Sequence, residues 1–398
     1  MGLPSADLAL LARCVALARQ SIGLSEPNPR VGCVLHDAQG QLVGEGFTQQ
    51  AGGPHAEVMA LRDAAAAGRS VAGGTAWVSL EPCAHHGRTP PCADALVAAG
   101  LKRVVVATTD PFAAVAGQGI ARLRAAGIVV ELADAGPVTA AAQALNIGFF
   151  SRVLRQRPWV RLKLAASLDG RTALPNGRSQ WITSAAARAD GHAWRQRAGA
   201  VLTGLGTVQA DNPRLDVRLV PTQVQPLRLV LDSAFATPPT ARVLAPPGRC
   251  LVVGCSPVEA RMQALRDAGA ELLLLPATVD SARAASPTPQ RPDLAALLAW
   301  LALNEQTNEL HVEAGATLSG AFWQTGLVDE LLLYVAPKLL GPGLELMRLP
   351  LLADLADARA LRFEQVQTVG PDLALRLQVV GADGFLTDTA PTQGAASA

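Results

Sequence analysis

Tyrosine is nearly absent from this chain, one residue in 398, and aromatic residues of all kinds amount to only 4%. Proteins that hold single-stranded nucleic acid stack bases on aromatic faces along a basic groove. With a formal net charge of +1, neither feature is on offer. Lysine is almost as scarce, since only Lys102, Lys163 and Lys338 accompany 31 arginines among the 34 basic residues. A lysine kept against that bias is a candidate for chemistry that arginine cannot do. Charged residues make up 17% against 49% hydrophobic, which excludes a disordered chain and leaves ample material for cores. The length suggests two to three domains, and two is the working expectation, with a small molecule as substrate and no nucleic acid as partner.

Long apolar runs are also missing. The least charged stretch, residues 135–151, is interrupted by Pro137, Thr139, Gln143 and Asn146 and is too short and polar to span a bilayer, so no membrane partner is expected. The first residues, MGLPSADLAL, lack the charged and apolar regions of a secretory signal, and Ala6 stands where a myristoylation signal requires Ser or Thr. A cytoplasmic location is expected. Cysteines number six, and in that compartment they read as metal ligands, catalytic groups or small buried hydrophobes before disulfides.

Periodicity gives the organisation. Ser5 is positioned to cap a helix whose Leu8, Leu11, Val15, Ala18 and Ile22 share one face, running to about Gln20. VGCVLH and QLVGEGF, parted by a turn, predict a β-hairpin. Helices HAEVMALRDAAAAG, CADALVAAG and GIARLRAAG then alternate with strands TAWVSL, RVVVAT and IVVEL, which predicts an α/β/α layered domain over 1–150. The polar, basic SRVLRQRP reads as a linker over 151–158. A second α/β domain is expected over 159–381, with strands WVRLKLAAS, AVLTG, LRLVLD, CLVVGC, ELLLL, ELHVEAG and VDELLLYVA and helices near 184–197, 293–303 and 317–324. Residues 276–292 read as a surface loop and 382–398 as a frayed tail.

Three residues in the first half have the chemistry of a catalytic zinc site. His55 in PHAEV opens a helix, Cys83 follows Pro82 after a strand, and Cys92 follows Pro90 and Pro91 at another helix start. All three are expected at helix starts, where the dipole favours thiolate. One imidazole and two thiolates fill three tetrahedral positions and leave the fourth for water. Glu57, two residues from His55, cannot share its direction on a helix and reads as the proton-transferring base. His85 and His86 are rivals for the histidine ligand or wall the substrate, and a closed structural zinc site would add a fourth protein ligand. Cys14 and Cys33 read as buried hydrophobes.

H-x-E is half of the zinc nucleobase deaminase signature, whose other half is P-C-x-x-C. Here eight residues, AHHGRTPP, separate the two cysteines. With PNPRVGCVL upstream, the run LEPCAHHGRTPPC resembles the deaminase half of the bifunctional riboflavin-biosynthesis deaminase/reductase family, in which the longer spacing is typical. That resemblance implies a cytidine-deaminase-like domain and makes Asn28 a substrate-contacting amide, although a residue between two prolines also suits a plain turn.

In the second half, TGLGTVQADNP falls short of a dinucleotide fingerprint because Gln209 holds the third glycine position and Asn212 and Pro213 come too soon for the helix that a βαβ unit requires. VEAG, ending a strand and opening a helix, offers free N–H groups from Gly315 onward to a phosphate, or is an ordinary strand-to-helix turn. The segments KLAASLDGRTA, SQWIT, TGLGTVQADNPRLDVR, LVLDS and VEAGATLSGAF together resemble the reductase half of the same family, and the resemblance covers about 5–380. It implies a dihydrofolate-reductase-like α/β domain that uses NADPH. It places Ala165, Trp181, Thr207, Asp211, Ser233, Gly315, Ala316, Thr317, Leu318 and Ser319 at the cofactor, and Ser179, Arg195, Leu215, Arg218 and Glu313 at the substrate. Arg195 and Arg218 suit a phosphate. Lys163 is read as contacting the sugar during reduction, and Asp169 as a turn former with Gly170. Zn2+ and NADPH are thus the expected cofactors. The implied reaction deaminates 2,5-diamino-6-(5-phosphoribosylamino)pyrimidin-4-one and then reduces its ribosyl group to ribityl. A nucleobase or nucleic-acid deaminase with a non-reductase second domain, or a reductase of a folate-like pterin, is the rival. A homo-oligomer, dimer or tetramer, is the expected assembly.

Overall fold

Alternating apolar residues sort this chain into two compact units in the computed structural model, which describes residues 2–85, 90–112, 115–278 and 290–389. One unit runs to Arg155 and takes back the chain from Phe385, and the other is Gln156–Gly384.

The first unit contains α1 (Ser5–Ala18), β1 (Gly32–His36), β2 (Leu42–Phe47), α2 (Ala56–Ala66), β3 (Thr75–Val78), α3 (Cys92–Ala98), β4 (Arg103–Val106), α4 (Gln118–Ala125), β5 (Val129–Leu132), α5 (Pro137–Leu145) and α6 (Ile147–Arg155). Its sheet has the order β2-β1-β3-β4-β5. The β1–β2 hairpin and the β1–β3 pair are antiparallel and the rest parallel. Successive strand residues point to opposite faces. Cys33, Leu35, Val78 and Val104 therefore pack under α2, α3, α4 and α6, while Val34, Trp77 and Val105 pack under α1 and α5. This is the expected three-layer order. A Cβ on Gly46 would lie 2.4 Å from the Ala56 carbonyl oxygen. Only glycine lets β2 approach the start of α2 so closely, and that start carries His55 and Glu57.

Several expectations are corrected here. Ser5 is the first helical residue of α1, with Pro4 in the capping position, so its hydroxyl caps nothing. The segment read as a linker is helical to Arg155. Its basic residues misled because they stack on rings: the Arg152 guanidinium lies 5.5 Å from the Phe149 ring and that of Arg155 4.3 Å from Phe385. Phe385 and Leu386, in the segment expected to fray, pack against the first core, and Gly384–Thr389 forms a 3-10 turn.

The second unit contains β6 (Trp159–Ser167), β7 (Arg171–Ala173), α7 (Ala185–Arg197), β8 (Ala200–Gly204), α8 (Leu205–Asp211), β9 (Leu227–Leu231), β10 (Cys250–Gly254), α9 (Glu259–Asp267), β11 (Glu271–Leu274), α10 (Leu294–Asn304), β12 (Glu309–Val312), α11 (Ala316–Gln324), β13 (Glu330–Ala336), β14 (Leu344–Glu345), β15 (Leu361–Val369) and β16 (Asp372–Val379). Nine strands form one sheet in the order β11-β10-β9-β8-β12-β6-β13-β16-β15. Neighbours from β11 to β13 are parallel, and β16 and β15 close the edge as an antiparallel hairpin. One face packs on α10 and α11. The other packs on α8 and α9 over β8–β10 and on α7 over β13 and β16. The helix α8 that follows β8 is short, and Asn212, at φ 43°, ends it after seven residues.

Candidate active sites

In the first unit the sequence brings three ligand atoms to one point. His55 is the residue before α2, with extended backbone, and Glu57 lies buried in the first turn. Cys92 is the first residue of α3. Cys83 is not at a helix start, contrary to expectation, but lies in the coil after β3. The helix reaches it all the same, because the Cys92 backbone N–H donates to Cys83 Sγ at 3.3 Å. His55 Nδ1 is 3.6 Å from Cys83 Sγ and 3.4 Å from Cys92 Sγ, and the three candidate ligand atoms lie within 4.8 Å of one another.

Those spacings fit a tetrahedral zinc ion. A metal holding nitrogen at about 2.1 Å and sulfur at about 2.3 Å separates the two by about 3.6 Å. The donor chemistry agrees. The hydrogen bond from Cys92 pulls the Cys83 thiol down to about 4 against its burial, and the same bond pushes Cys92 up, so the sulfurs compete for one negative charge. A divalent cation ends that competition by holding both as anions. Burial pushes the Glu57 carboxyl up to about 7, with the Cys83 charge adding and His55 opposing. A group so placed can both take and return a proton near neutrality. Among the described residues no fourth protein ligand joins the cluster. His85 is exposed with its ring against Phe112 at 5.8 Å, and His86 lies outside the described residues. Asn28 occupies a turn closed by its N–H to the Ser25 carbonyl at 2.7 Å. Cys14 and Cys33 are buried, and the Cys14 thiol donates to the Trp77 carbonyl.

Glu81, passed over in the sequence, fixes the Cys83 segment. It is buried and accepts N–H groups of Asp110 at 3.3 Å, Gly117 at 3.0 Å and Ile120 at 3.2 Å, tying residues 110–120 to the turn before the cysteine. Gly119 lies against the same turn, where a Cβ would fall 1.9 Å from the Pro82 carbonyl oxygen. Gly119→Ala is expected to displace Pro82 and Cys83 and to weaken zinc about tenfold or more, read as metal per chain after dialysis against a competing chelator. Unchanged zinc retention would show that the turn tolerates the shift.

The second unit opens a cavity of about 1840 Å³ at the C-terminal ends of its parallel strands, the usual ligand crevice of such sheets. Ala165, Trp181, Thr207, Asp211, Ser233, Gly315, Ala316, Thr317 and Leu318 of the expected cofactor set line it, as do Lys163, Ser179, Arg195, Leu215, Arg218 and Glu313 of the expected substrate set. Ser319 is the exception. It is fully buried and its hydroxyl donates to the Ala314 carbonyl at 3.1 Å, because as the fourth residue of α11 it faces its own helix start.

Charge is arranged in two groups within this cavity. Arg195 bonds both Glu313 oxygens, at 2.5 and 3.0 Å, and the Lys163 ammonium is 4.0 Å from the same carboxylate. Burial would raise Glu313, but Arg195 and Lys163 outweigh it and hold the carboxyl well below its usual range. Burial lowers Lys163 despite Glu313. Asp216 holds Arg218 at 2.5 Å and Arg214 at 2.9 Å. His192, not anticipated, lines the cavity, and burial followed by Arg195 and Arg218 pushes it down to about 4, so it stays neutral and accepts the Arg218 N–H. No local motif marks Asp216 or His192, because their roles come from contacts across the fold. Asp169 is structural: it accepts the Ser167 hydroxyl and the N–H groups of Leu340 and Gly341, and is pushed down to about 2, chiefly by the Ser167 bond. The α11 start presents backbone N–H groups at Ala316, Thr317 and Leu318 to the cavity, which suits a dinucleotide phosphate.

Comparison with known families agrees with both halves. Residues 4–108 match the cytidine and deoxycytidylate deaminase zinc-binding region, and residues 158–375 match the RibD C-terminal domain. The class so defined is a zinc-dependent deaminase joined to a reductase. The riboflavin biosynthesis protein RibD of Escherichia coli (strain K12) is 45% identical over 388 residues, covering 94% of this chain and 98% of that protein. Its Aquifex aeolicus counterpart is 38% identical over 361 residues, covering 91% and 95%. The structure of Acinetobacter baumannii RibD, form 1, superposes with a TM-score of 0.82 at 41% identity, covering 94% of this chain and 99% of that one. A Thermotoga maritima structure described as a diaminohydroxyphosphoribosylaminopyrimidine deaminase/5-amino-6-(5-phosphoribosylamino)uracil reductase superposes with a TM-score of 0.78 at 30% identity, covering 94% and 98%.

The chain belongs to the RibD family of bifunctional riboflavin biosynthesis proteins. It is a hydrolytic deaminase and an NADPH-dependent reductase, with Zn2+ and NADPH as cofactors and a small molecule as substrate. The fold is the expected pairing of a cytidine-deaminase-like domain with a dihydrofolate-reductase-like α/β domain. The RibD C-terminal match displaces the rival with a non-reductase second domain. No helix among the described residues is long and apolar enough to cross a membrane.

Proposed function

We propose that this chain deaminates 2,5-diamino-6-(5-phosphoribosylamino)pyrimidin-4-one with the groups around His55, Cys83, Cys92 and Glu57, and then reduces the ribosyl group of the product to ribityl in the cavity around Lys163. The observation that carries the first step is the meeting of one imidazole and two sulfurs at zinc spacing beside a buried carboxyl. Bound zinc supplies Lewis acidity, and bound NADPH supplies reducing equivalents. Glu57 takes one proton from the attacking water and gives it to the pyrimidine ring nitrogen as the C–O bond forms, then carries the remaining hydroxyl proton to the departing amine as the C–N bond breaks, so that water enters and ammonia leaves. Asn28 offers an amide to the ring.

In the reductase cavity Arg195 and Arg218 present guanidinium donors to the substrate phosphate. The Lys163 ammonium, beside Glu313, contacts the sugar oxygens, and Ser179 and Leu215 complete the substrate wall. The cofactor lies against Ala165, Trp181, Thr207, Asp211, Ser233 and the α11 start. The domains correspond to the two compact units. Six free cysteines support a cytoplasmic location. A homo-oligomer is supported by β15, an edge strand with Phe363 63% and Val366 57% exposed. Sedimentation of a monomer at micromolar concentration would remove that assembly.

Supplying the diaminopyrimidine substrate with and without NADPH tests the sequence of steps. Ammonia is expected in both cases, and one NADPH per ammonia is expected to be oxidised when both are present. NADPH oxidation without ammonia release would overturn the proposed order.

A further inference from the structure

The cavity of the second unit runs along the C-terminal ends of β6, β12, β8 and β9, from Lys163 and Glu313 at one end to Ser233 at the other, with the α11 start between. Since the sugar is reduced beside Lys163, the nicotinamide belongs there and the adenosine belongs at the Ser233 end. Dinucleotides lie in this way across parallel strand ends, and an acidic residue after a strand commonly bonds the ribose 2′-hydroxyl of the non-phosphorylated cofactor.

Asp232 stands at that position on the cavity wall, but its carboxylate is engaged by its own loop. It is 2% exposed, and its oxygens accept the Thr237 N–H at 2.5 Å, the Thr237 hydroxyl at 2.7 Å and the Ala234 N–H at 3.3 Å. Asp293, at the same end, is engaged in capping α10 through the N–H groups of Ala295 at 2.8 Å and Ala296 at 3.1 Å. Two of the carboxylates that would repel a phosphate are thus held by their own backbone, leaving Asp211 on the cavity wall.

The cations differ in the same way. Lys163 and Arg195 are tied to Glu313, Arg214 and Arg218 to Asp216, and Arg188 lies over Trp181 at 4.2 Å. Arg242 and Arg291 also line the cavity and are exposed, and among the described residues neither has a carboxylate partner. Arg242 is placed by its backbone N–H to Asn212 Oδ1 at 2.8 Å, next to Val243 and Leu244, which pack with Val230 and Val252 on one face of the sheet. Arg291 precedes Leu294, which packs with Leu229 and Leu251 on the other face. The two arginines therefore reach the cavity from segments packed on opposite faces of β9 and β10.

We propose that Arg242 and Arg291 form the site for the 2′-phosphate of NADPH and make the second unit discriminate against NADH. The inference rests on the NADPH reading of this cavity. A guanidinium fork matches phosphate oxygens, and each charge-assisted contact is worth about tenfold or more in affinity. Calorimetric titration of the full chain with adenosine 2′,5′-bisphosphate and with 5′-AMP tests it without turnover. The wild type is expected to bind the bisphosphate at least about tenfold more tightly. Arg242→Ala with Arg291→Ala is expected to lower bisphosphate affinity about 10- to 100-fold while leaving 5′-AMP binding as it was, which also reports an intact site. Arg242→Lys with Arg291→Lys retains part of the preference. Equal loss of both ligands, or an unchanged preference in the alanine variant, overturns the assignment. A wild type that binds neither NADPH nor the bisphosphate overturns the cofactor reading as well.

Discussion

Glu57→Gln is expected to lower the rate of ammonia release by about 10³-fold or more while the protein keeps its zinc and still reduces the deaminated intermediate at the wild-type rate. The amide preserves the shape of a side chain only 3% exposed in the first turn of α2, and it leaves His55, Cys83 and Cys92 untouched. What it removes is the capacity to take a proton from water and give it to the leaving amine, a role worth about 10²–10⁴-fold. Metal analysis and the two half-reactions, measured on one sample, separate this from loss of the site. Deamination at the wild-type rate would end the proton-transfer role, and loss of zinc would move Glu57 from chemistry to metal retention.

Arg161→Leu is expected to destabilise the second unit by about 3–5 kcal/mol, because it takes the close cationic partner from buried Glu330, whereas Glu309 keeps Arg197 at 2.9 Å. Arg161 donates to Glu309 at 2.9 Å and to Glu330 at 2.8 Å, and its guanidinium lies over the Trp194 ring at 4.3 Å. Its side chain is 2% exposed and those of the two glutamates 0% and 4%. Burial opposes the charge on Glu330, but Arg161 outweighs it and holds the carboxyl below its usual range. The sign of the pH dependence follows. A depressed carboxylate stabilises the wild type above its unfolded value and loses that contribution as pH falls through the folded one. Without Arg161 burial dominates, Glu330 titrates higher, and protonation relieves the folded state. The deficit of the variant is therefore expected to shrink between about pH 7 and pH 5. Thermal melts should show a drop of about 10 °C at neutral pH for a domain of this size. A deficit that grows on acidification would mean that the lost packing against Trp194, and not the stranded charge, sets the cost.

These two sites were legible in the sequence to different degrees. His55 and Glu57 could be read because H-x-E places a ligand and a base two residues apart, and Cys83 and Cys92 because each follows proline. Arg161 gave no signal, since WVRLKLAAS reads as an ordinary strand and its two glutamates come about 150 and 170 residues later. The same distance hides Asp216 and His192. The turn of α11, and no local motif, decides that the Ser319 hydroxyl points at Ala314.

Local spacing alone determined most of the element types, the layered α/β character of both halves, the candidate zinc donors and the strand-to-helix turn at Gly315, because periodicity and short motifs are properties of neighbouring residues. Tertiary structure alone decided which carboxylates face a ligand and which are consumed by their own loops, as Asp232 and Asp293 are. It also decided that SRVLRQRP would be helix and that Phe385 would return to the first core. Burial and long-range pairing set these outcomes, and both are sums over residues far apart in the chain, so no window of sequence contains them.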